Sequence, residues 1–405
     1  MVQGGVSLSA VQRILVIVGE ALGLALALPD SATGRSWILR LGLDSLRRPL
    51  EQGADWIWIA DHSVQIGKTK LLVVVGLRGA QLPPVGQALR ASALQLIALV
   101  PMEKSNAITV HAALQQAAGR TGPPRAIISD HGADLWGGIR LWIADHPETV
   151  EIYDAAHKAA CLLKGLLKAD SRWKEFLKLV GTAKFQMAQT ELAGLLPPSL
   201  REKARFMNLK PTIVWGLQML KLLARGRSGE TVAGVRPERL EEKLGWLVEF
   251  EPALCEWREW LQLIDTTLGV LRTQGHSLGT PALLDRNIAQ PLRYDSSDKL
   301  WRALREFVAS ISGGLHVFER FPGSSEVLES IFGKFKRLER QQSRSGFTSL
   351  VLSLGVLVGK MPGACCQTIN AALERTGVKN VLSRVTQMFG MSVGSQRRLV
   401  TEAAK

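Results

Sequence analysis

Five short apolar runs between residues 54 and 154 constrain the fold of this chain more than any other feature. They have the length of β-strands, and turn signals or helical stretches separate them. The runs are residues 55–59 (DWIWI), 71–77 (LLVVVGL), 93–100 (ALQLIALV), 125–129 (RAIIS) and 150–153 (VEIY). Apolar residues at helical spacing follow the third and the fourth run. Three successive strands, then strands alternating with helices, predict an α/β fold with a mixed sheet flanked by helices.

The rest of the chain has helical patterns. Strand signals nearly vanish after residue 155, and Leu and Trp residues at helical spacing predict an all-α region. Its tryptophans are expected to form the core. The alternative is that they stack on an unpaired nucleic-acid base. Residues 324–341 predict a basic amphipathic helix. The chain therefore divides into an N-terminal helical segment (1–50), a sheet-forming part (51–154), an all-α part (155–316), a helix-bearing segment (317–345) and a C-terminal helical, basic region (346–405).

Charge and cysteine content indicate the kind of partner and compartment. Lys and Arg number 50 against 36 Asp and Glu, a net charge of +14. This excess suggests a polyanionic partner, with nucleic acid the first candidate and a merely soluble, lysine-rich surface the alternative. Four cysteines without a C-x-x-C pair predict neither a disulfide framework nor a zinc site, which fits a cytoplasmic protein.

Two apolar stretches bear on membrane association. Residues 14–28 resemble the core of a signal peptide, which is the alternative, but Glu20 in the middle favours a buried N-terminal helix. The stretch is also too short to span a bilayer, so we expect no membrane partner. Residues 348–357 are shorter still and are expected in the core.

Two aspartates stand where strand-like runs end. Asp61 follows the first run and Asp130 the fourth. A carboxylate at the end of a buried strand is costly unless it is hydrogen-bonded or metal-bound. Two such acids on neighbouring strands could share a divalent cation such as Mg²⁺, as phosphodiester chemistry requires. The alternative for each is a turn or helix cap.

A third carboxylate is expected on the basic helix. Glu329 is the first candidate, and Glu326, one turn earlier, remains open. Lys336 follows Glu329 by two turns and lies on the same helical face. That face offers a metal ligand and a cation for a phosphate. Further basic residues occupy the other faces: Lys334, Arg337 and Arg340.

The stretches WIADHSVQIG, AIISDHGADL and SSEVLESIFGKFK, in this order, resemble the DDE transposases, whose catalytic domain has an RNase H-like (retroviral-integrase-like) fold. In that family the first acid lies on the first strand, the second just after the fourth strand, and the third on a later helix. The matching positions are Asp61, Asp130 and Glu329. The resemblance covers residues 54–345.

Shorter motifs agree with this resemblance. Asp154-Ala155-Ala156-His157 is similar to the C/D-x-x-H motif that follows the fifth strand in hAT-like and Mutator-like transposases. SEVLES resembles the N-x-x-E-S stretch around the last acid of Mutator-like enzymes, with Glu326 in place of Asn.

A third motif matches only in part. Glu329 and Lys336 fit the E-x6-K half of the Y-x2-R-x3-E-x6-K pattern of a bacterial transposase group. Pro322 and Ser325 stand where that pattern has Tyr and Arg. The motifs come from different groups and assign no single transposase family.

The resemblance implies a specific fold and reaction. The sheet is expected to be RNase H-like, with residues 155–316 as a large all-α insertion. The expected activity is that of a DNA transposase, which hydrolyses phosphodiesters at the element ends and transfers the strand into target DNA. Asp61, Asp130 and Glu329 would hold two Mg²⁺ ions, which Mn²⁺ can replace. The implied partner is double-stranded DNA, bound by a homo-oligomer in the cytoplasm at the nucleoid.

The resemblance also gives roles to the histidines and basic residues. His157, with Lys334, Lys336, Arg337 and Arg340, would contact DNA, and Asp154 would support the site. Alternatively, His157 is a helix-start histidine satisfied by Asp154. His62 and His131 each directly follow an acid and are expected to contact solvent or side chains around the acids.

Two other functions remain open. The first is a catalytically inactive or domesticated DNA-binding relative. The second is an RNase H-like nuclease without strand transfer.

Overall fold

The structure, a computed structural model, describes residues 6–66, 69–199, 209–230, 234–288, 290–340, 347–359, 366–391 and 393–403. The chain forms two compact units. The first unit consists of Met1–Asp154, Arg272–Gln274 and Arg320–Lys405, and the second of Ala155–Leu271 and Gly275–Glu319.

A five-stranded sheet forms the centre of the first unit. Its strands are β1 (Trp56–Ile66), β2 (Thr69–Arg78), β3 (Gln95–Met102), β4 (Ala126–Ser129) and β5 (Val150–Tyr153). Their order is β3-β2-β1-β4-β5; β1, β2 and β3 pair antiparallel, whereas β4 pairs parallel with β1 and with β5. A helix precedes each of β4 and β5, because a parallel neighbour requires a crossover. The predicted mixed sheet flanked by helices is confirmed.

Two helices, α3 (Ala107–Thr121) and α4 (Ala133–Asp145), cover one face of this sheet. Alternate residues of β1 point to this face, as the period of a strand requires. They join a single buried cluster of Trp56, Trp58, Ala60, Leu72, Val74, Ile97, Ala98, Met102, Val110, Ala113, Leu114, Ala117, Ile127, Leu135, Ile139 and Trp142. Gly138 allows α4 to approach α3 closely, because a Cβ there would lie 2.4 Å from Val110 Cγ1.

Helices form the second unit throughout its described residues. They are α5 (Ala155–Ala169), α6 (Ser171–Met187), α7 (Leu209–Arg227), α8 (Pro237–Leu244), α9 (Glu251–Thr273), α10 (Thr280–Asn287) and α11 (Asp295–Ser312). The last two residues of α9 belong to the first unit.

Tryptophans fill the core of this unit. Trp257 meets the Trp173 ring edge-on at 5.0 Å, and its indole N–H donates to Asp170 Oδ2 at 2.9 Å. The predicted core role is confirmed for the buried rings, Trp173, Trp215, Trp257, Trp260 and Trp301. Rings enclosed in this way have no face for a nucleic-acid base while the unit is folded.

The first unit continues with α12 (Glu326–Arg340), which packs against β1. Its buried face is Leu328, Ile331, Phe332, Phe335 and Leu338, and its basic residues are exposed, as the sequence predicts. Short helices follow: α13 (Phe347–Leu350), α14 (Leu354–Leu357), α15 (Cys366–Arg375), α16 (Val378–Phe389) and α17 (Val393–Ala403).

The N-terminal helices α1 (Leu8–Ala21) and α2 (Ser31–Arg47) begin at the caps Ser7 and Asp30. Helix α2 packs against α14, α15 and α16. The contact is close at Gly42, where a Cβ would lie 1.8 Å from the carbonyl oxygen of Leu352. Residues 350–357 are buried beneath it, which confirms the core assignment of that run.

The prediction of a buried N-terminal helix was wrong. Helix α1 forms, but its apolar side chains from Ile14 to Val18 are 39–62% exposed, and Gly19 is its one buried residue. The buried side of α2 packs against the C-terminal helices. Helix α1 therefore packs on the outer side of α2 and stays largely exposed. Within the described part of the chain, no helix combines the length and apolar character that crossing a bilayer needs.

Candidate active site on β1 and after β4

Asp61 and Asp130 occupy equivalent positions on neighbouring strands. Asp61 lies within β1, and Asp130 directly follows the last residue of β4. The parallel register pairs Ile59 with Ile128. The same offset, two residues further along, sets Asp61 beside Asp130. Since neighbouring strands lie about 4.8 Å apart, the two carboxylates start from adjacent backbone positions.

Strand alternation sets the face of the sheet from which Asp61 projects. Trp58 and Ala60 point into the cluster under α3 and α4, so Asp61 projects from the opposite face. Asp130 lies beyond Ser129, the last residue of β4, so the alternation of that strand does not set the direction of its carboxylate. Both aspartates are partly exposed. The prediction that Asp61 stands at a strand end was wrong, because β1 continues to Ile66; only Asp130 directly follows a strand. The approach of the two carboxylates stays a prediction.

A strained turn follows β4. Asp130 Oδ1 accepts a hydrogen bond of 3.0 Å from the backbone N–H of Gly132. His131 between them has φ of 56°, in the left-handed region that a non-glycine residue rarely adopts. Its ring stacks on Tyr153 of β5 at 3.9 Å, and its Nε2 lies 2.7 Å from Glu151 Oε1. These contacts hold the turn in one conformation and thereby fix the Asp130 backbone.

A polar network surrounds Asp134, in the first turn of α4. Lys70 Nζ donates to Asp134 Oδ2 at 2.8 Å. His62 Nδ1 lies 4.0 Å from the same oxygen, and His62 Nε2 lies 3.2 Å from Ser105 Oγ. His62 was predicted to contact either solvent or side chains around the acids. In the structure it lies against the side chains of Ser105 and Asp134.

Burial and charge act in opposite directions on Asp134. Burial alone would raise the pKa of its carboxyl, but hydrogen bonds from Lys70 and Ser105 hold the pKa well below its usual range. Burial lowers the pKa of His62, more than the nearby carboxylates raise it. At neutral pH the network therefore contains a carboxylate, an ammonium and a neutral imidazole. Asp134 was not predicted from the sequence. It lies four residues after Asp130 in the first turn of a helix, where acids are common because they interact favourably with the helix dipole.

Asp154 anchors the helix that carries the third predicted acid. It directly follows β5 and is fully buried. Its Oδ2 accepts hydrogen bonds of 2.6 Å from both the backbone N–H and the hydroxyl of Ser325, and one of 3.2 Å from the Ser324 hydroxyl. Both serines directly precede α12. The start of α12 is thus tied to the end of β5, an arrangement that the sequence did not reveal.

Glu329 lies in the first turn of α12 and is exposed. Glu326, the alternative, forms two hydrogen bonds with Arg272, at 2.8 and 2.9 Å. The guanidinium therefore pairs with the carboxylate of Glu326. Among the residues that the structure describes, no three or more His, Cys, Asp or Glu side chains are grouped as a metal centre. Convergence of Glu329 on Asp61 and Asp130 therefore stays a prediction.

The remaining predicted residues lie on two helices. Lys334, Lys336, Arg337 and Arg340 are exposed on α12. His157 is partly buried near the start of α5, in the second unit. Its contact with DNA stays a prediction.

No protein-family model matches the sequence, and no curated protein matches it. Function must therefore be inferred from the site itself.

Proposed function

We propose that this protein is a DNA transposase of the DDE type, which cleaves phosphodiesters at the ends of a mobile element and transfers the released strand into target DNA. One observation carries the proposal: the parallel register of β1 with β4, continued two residues, gives Asp61 and Asp130 adjacent backbone positions. Two carboxylates set side by side in this way are suited to a shared divalent cation.

The topology supports an RNase H-like catalytic domain. Asp61 lies on the first strand, Asp130 just after the fourth, and Glu329 on a later helix that packs against β1. This is the placement of the three acids that the sequence resemblance implies. The helical second unit lies in the chain between β5 and α12, which supports its role as an insertion.

The side chains of Asp61 and Asp130 are suited to a magnesium ion. Mg²⁺ prefers oxygen ligands and is commonly held by one or two carboxylates, with water and phosphate oxygens completing its shell. Asp61 and Asp130 would supply the carboxylates, with Glu329 as the third. When bound, Mg²⁺ or Mn²⁺ stabilises the charge that develops on the phosphate oxygens.

The exposed basic residues of α12 could bind the proposed substrate. Lys334, Lys336, Arg337 and Arg340 carry four positive charges on exposed positions of the helix that bears Glu329. Neutralising DNA phosphates there would hold a duplex beside the acids. Attack by water breaks a P–O3′ bond and leaves a 3′-hydroxyl and a 5′-phosphate. That 3′-hydroxyl would then attack a target phosphodiester at the same site, forming a new P–O bond and releasing the 3′-hydroxyl of the target strand. Joining two element ends requires at least two copies of the protein, acting at the nucleoid.

A cleavage assay tests the proposal. The substrate is a supercoiled plasmid that carries the gene with its own flanking DNA, incubated with the purified chain and Mg²⁺ or Mn²⁺. We expect nicking and strand transfer by the natural protein, and a loss on the order of 100-fold or more in Asp61→Asn and Glu329→Gln. Asp145→Asn, an exposed acid at the far end of α4, is the matched control and retains activity.

The outcomes separate the competing functions. Cleavage at natural levels by Asp61→Asn or Glu329→Gln overturns the proposal. Cleavage without joined products indicates an RNase H-like nuclease without strand transfer. DNA binding without any cleavage indicates an inactive relative.

A further inference from the structure

Helix α1 and the segment after it expose an unusually large apolar surface. Eight large apolar side chains between Ile14 and Leu26 are 39–65% exposed. Together they leave on the order of 700 Å² in contact with solvent, whereas the largest apolar patch of a typical monomer covers about 300–600 Å². Each partner of a stable dimer interface contributes about 800 Å². The exposed surface therefore has the size that a dimer interface needs.

The outward face of α1 has the pattern of a coiled-coil seam. Val11 and Leu15 lie on the side of α1 that faces α2, where they line a cavity together with Trp37. The opposite face carries four apolar residues spaced four, three and four positions apart, namely Ala10, Ile14, Ile17 and Ala21. This alternation is the heptad spacing along which two helices pack. Ile17, near the middle of this seam, is 62% exposed.

Arg13 and Glu20 flank the seam on one side. They are seven residues apart, so they lie two turns apart on the same side of the helix. Both are exposed, and they are the only charged residues of α1. If two copies of α1 pack antiparallel, Arg13 of each copy lies beside Glu20 of the other. In a parallel pair, equivalent residues lie at the same height, and neither charge meets its opposite.

We propose that two copies of this chain associate through α1, packed antiparallel about a twofold axis, with Ile14 of each copy against Ile17 of the other. Twofold symmetry forms the pair of Arg13 with Glu20 twice. The exposed leucines between Leu22 and Leu26 add apolar surface at both ends of the seam. This inference stands on α1 alone and does not rest on the proposed function.

The charges of α1 fit a second copy better than a nucleic acid or a lipid surface. Phosphates and anionic lipid headgroups bind surfaces rich in Lys and Arg, whereas Arg13 is the one basic residue of this helix. Burial of α1 in lipid would also leave the carboxylate of Glu20 without a partner, which is costly. A second copy covers the apolar seam and neutralises both charges.

Sedimentation velocity of the full chain at micromolar concentrations tests the seam. We expect the natural chain to form a dimer, and Ile17→Asp to weaken it on the order of 30-fold or more, because the carboxylate would be buried at the centre of the interface. Ile108→Asp is the matched control, since Ile108 of α3 is 74% exposed, and it should leave the dimer intact. Both replaced side chains are exposed, so the circular dichroism spectra of the variants should match that of the natural chain.

Charge reversal tests the antiparallel arrangement. Arg13→Glu and Glu20→Arg should each weaken the dimer on the order of tenfold, because each sets like charges beside one another in both pairs. An equimolar mixture of the two single variants should dimerise like the natural chain, since every pair across the axis again joins opposite charges. The double variant, which carries both substitutions, should do the same.

Three outcomes overturn the proposal. The first is a natural chain that stays monomeric, or a dimer that Ile17→Asp leaves intact. The second is a dimer lost in both charge variants and not regained in their mixture. The third is a monomer that binds vesicles of anionic phospholipid through Ile17, because α1 would then be covered by a lipid surface.

Discussion

The carboxylate of Asp154 accepts a hydrogen bond of 2.6 Å from the backbone N–H of Ser325, although 171 residues separate the two in the chain. Asp154 ends β5, and Ser325 directly precedes α12, so this bond fixes where the helix of Glu329 starts on the sheet. Its donor and acceptor are both buried. Buried hydrogen bonds to a charged group are the strong ones, so the position of α12 depends on this contact.

Loss of the hydrogen bonds between Asp154 and Ser325 should lower both the stability of the protein and its activity. Asp154→Ala leaves the buried N–H and hydroxyl of Ser325 without their acceptor, which we expect to lower the free energy of unfolding by about 2–3 kcal/mol. Urea denaturation measures this change. Ser330→Ala, an exposed residue of α12, is the control and should change it by less than about 0.5 kcal/mol. Equal stability of the two variants would mean that the anchor is unimportant.

The exposed basic residues of α12 should increase the salt dependence of DNA binding. Each phosphate contact contributes about 0.9 to the slope of log K against log salt for duplex DNA. Replacing Lys336 and Arg337 by Ala should therefore reduce the slope by about two, measured by fluorescence anisotropy. The control replaces Lys174 and Lys178 of α6, which are also exposed. An equal reduction in both double variants would show that general charge, and not α12, binds the DNA.

A buried histidine should make the protein less stable in acid. His276 is fully buried, neither ring nitrogen has a hydrogen-bond partner among the described residues, and burial lowers its pKa to about 4. The unfolded chain, with an ordinary histidine pKa near 6.5, binds more protons than the folded chain between these values. The contribution to stability is therefore complete above about pH 6.5 and falls by about 3 kcal/mol by pH 4.

The measurement is the urea midpoint as a function of pH for the natural chain and for His276→Leu. The variant removes the titrating group, so its midpoint should fall less steeply between pH 6.5 and 4. Parallel curves for the two proteins would contradict the assignment.

Two helical glycines should respond in opposite ways to the same substitution. At Gly42 of α2 an added methyl group would collide with the Leu352 carbonyl oxygen at 1.8 Å, so Gly42→Ala should destabilise the first unit by about 2 kcal/mol or more. Gly165 of α5 is exposed, and nothing lies within 4 Å of the added group. There, Gly165→Ala should stabilise by about 1 kcal/mol through helix propensity. Thermal denaturation of both variants checks the pair, and a stable Gly42→Ala would contradict the close contact.

Much of the fold was predictable from local sequence patterns. The runs around Trp58 and Ile128 became adjacent strands because their β-branched and aromatic residues suit a pleated, buried surface. The spacing of Phe332 and Phe335 gave the buried face of α12 correctly, since amphipathic periodicity is a property of one segment. Patterns of this kind need no knowledge of distant contacts.

Features that depend on distant partners were not predictable. The exposure of Ile17 could not be read from α1, because it follows from what α2 packs against. In the sequence, Asp134 has the pattern of an ordinary acid at the start of a helix. Its contact with Lys70 forms only in the folded chain, because the two residues are far apart in sequence. Ser325 gave no signal of its bond to Asp154. The adjacent register of Asp61 and Asp130 was predictable, because strand-like runs precede both; the approach of their carboxylates to each other and to Glu329 stays a prediction.

The most direct test of the central claim is a crystal of the full chain grown with Mn²⁺ and measured at an anomalous wavelength. We predict a Mn²⁺ peak within about 2.1 Å of carboxylate oxygens from Asp61, Asp130 and Glu329 together. A peak that excludes Glu329, or the absence of any peak between Asp61 and Asp130, would contradict the proposed site.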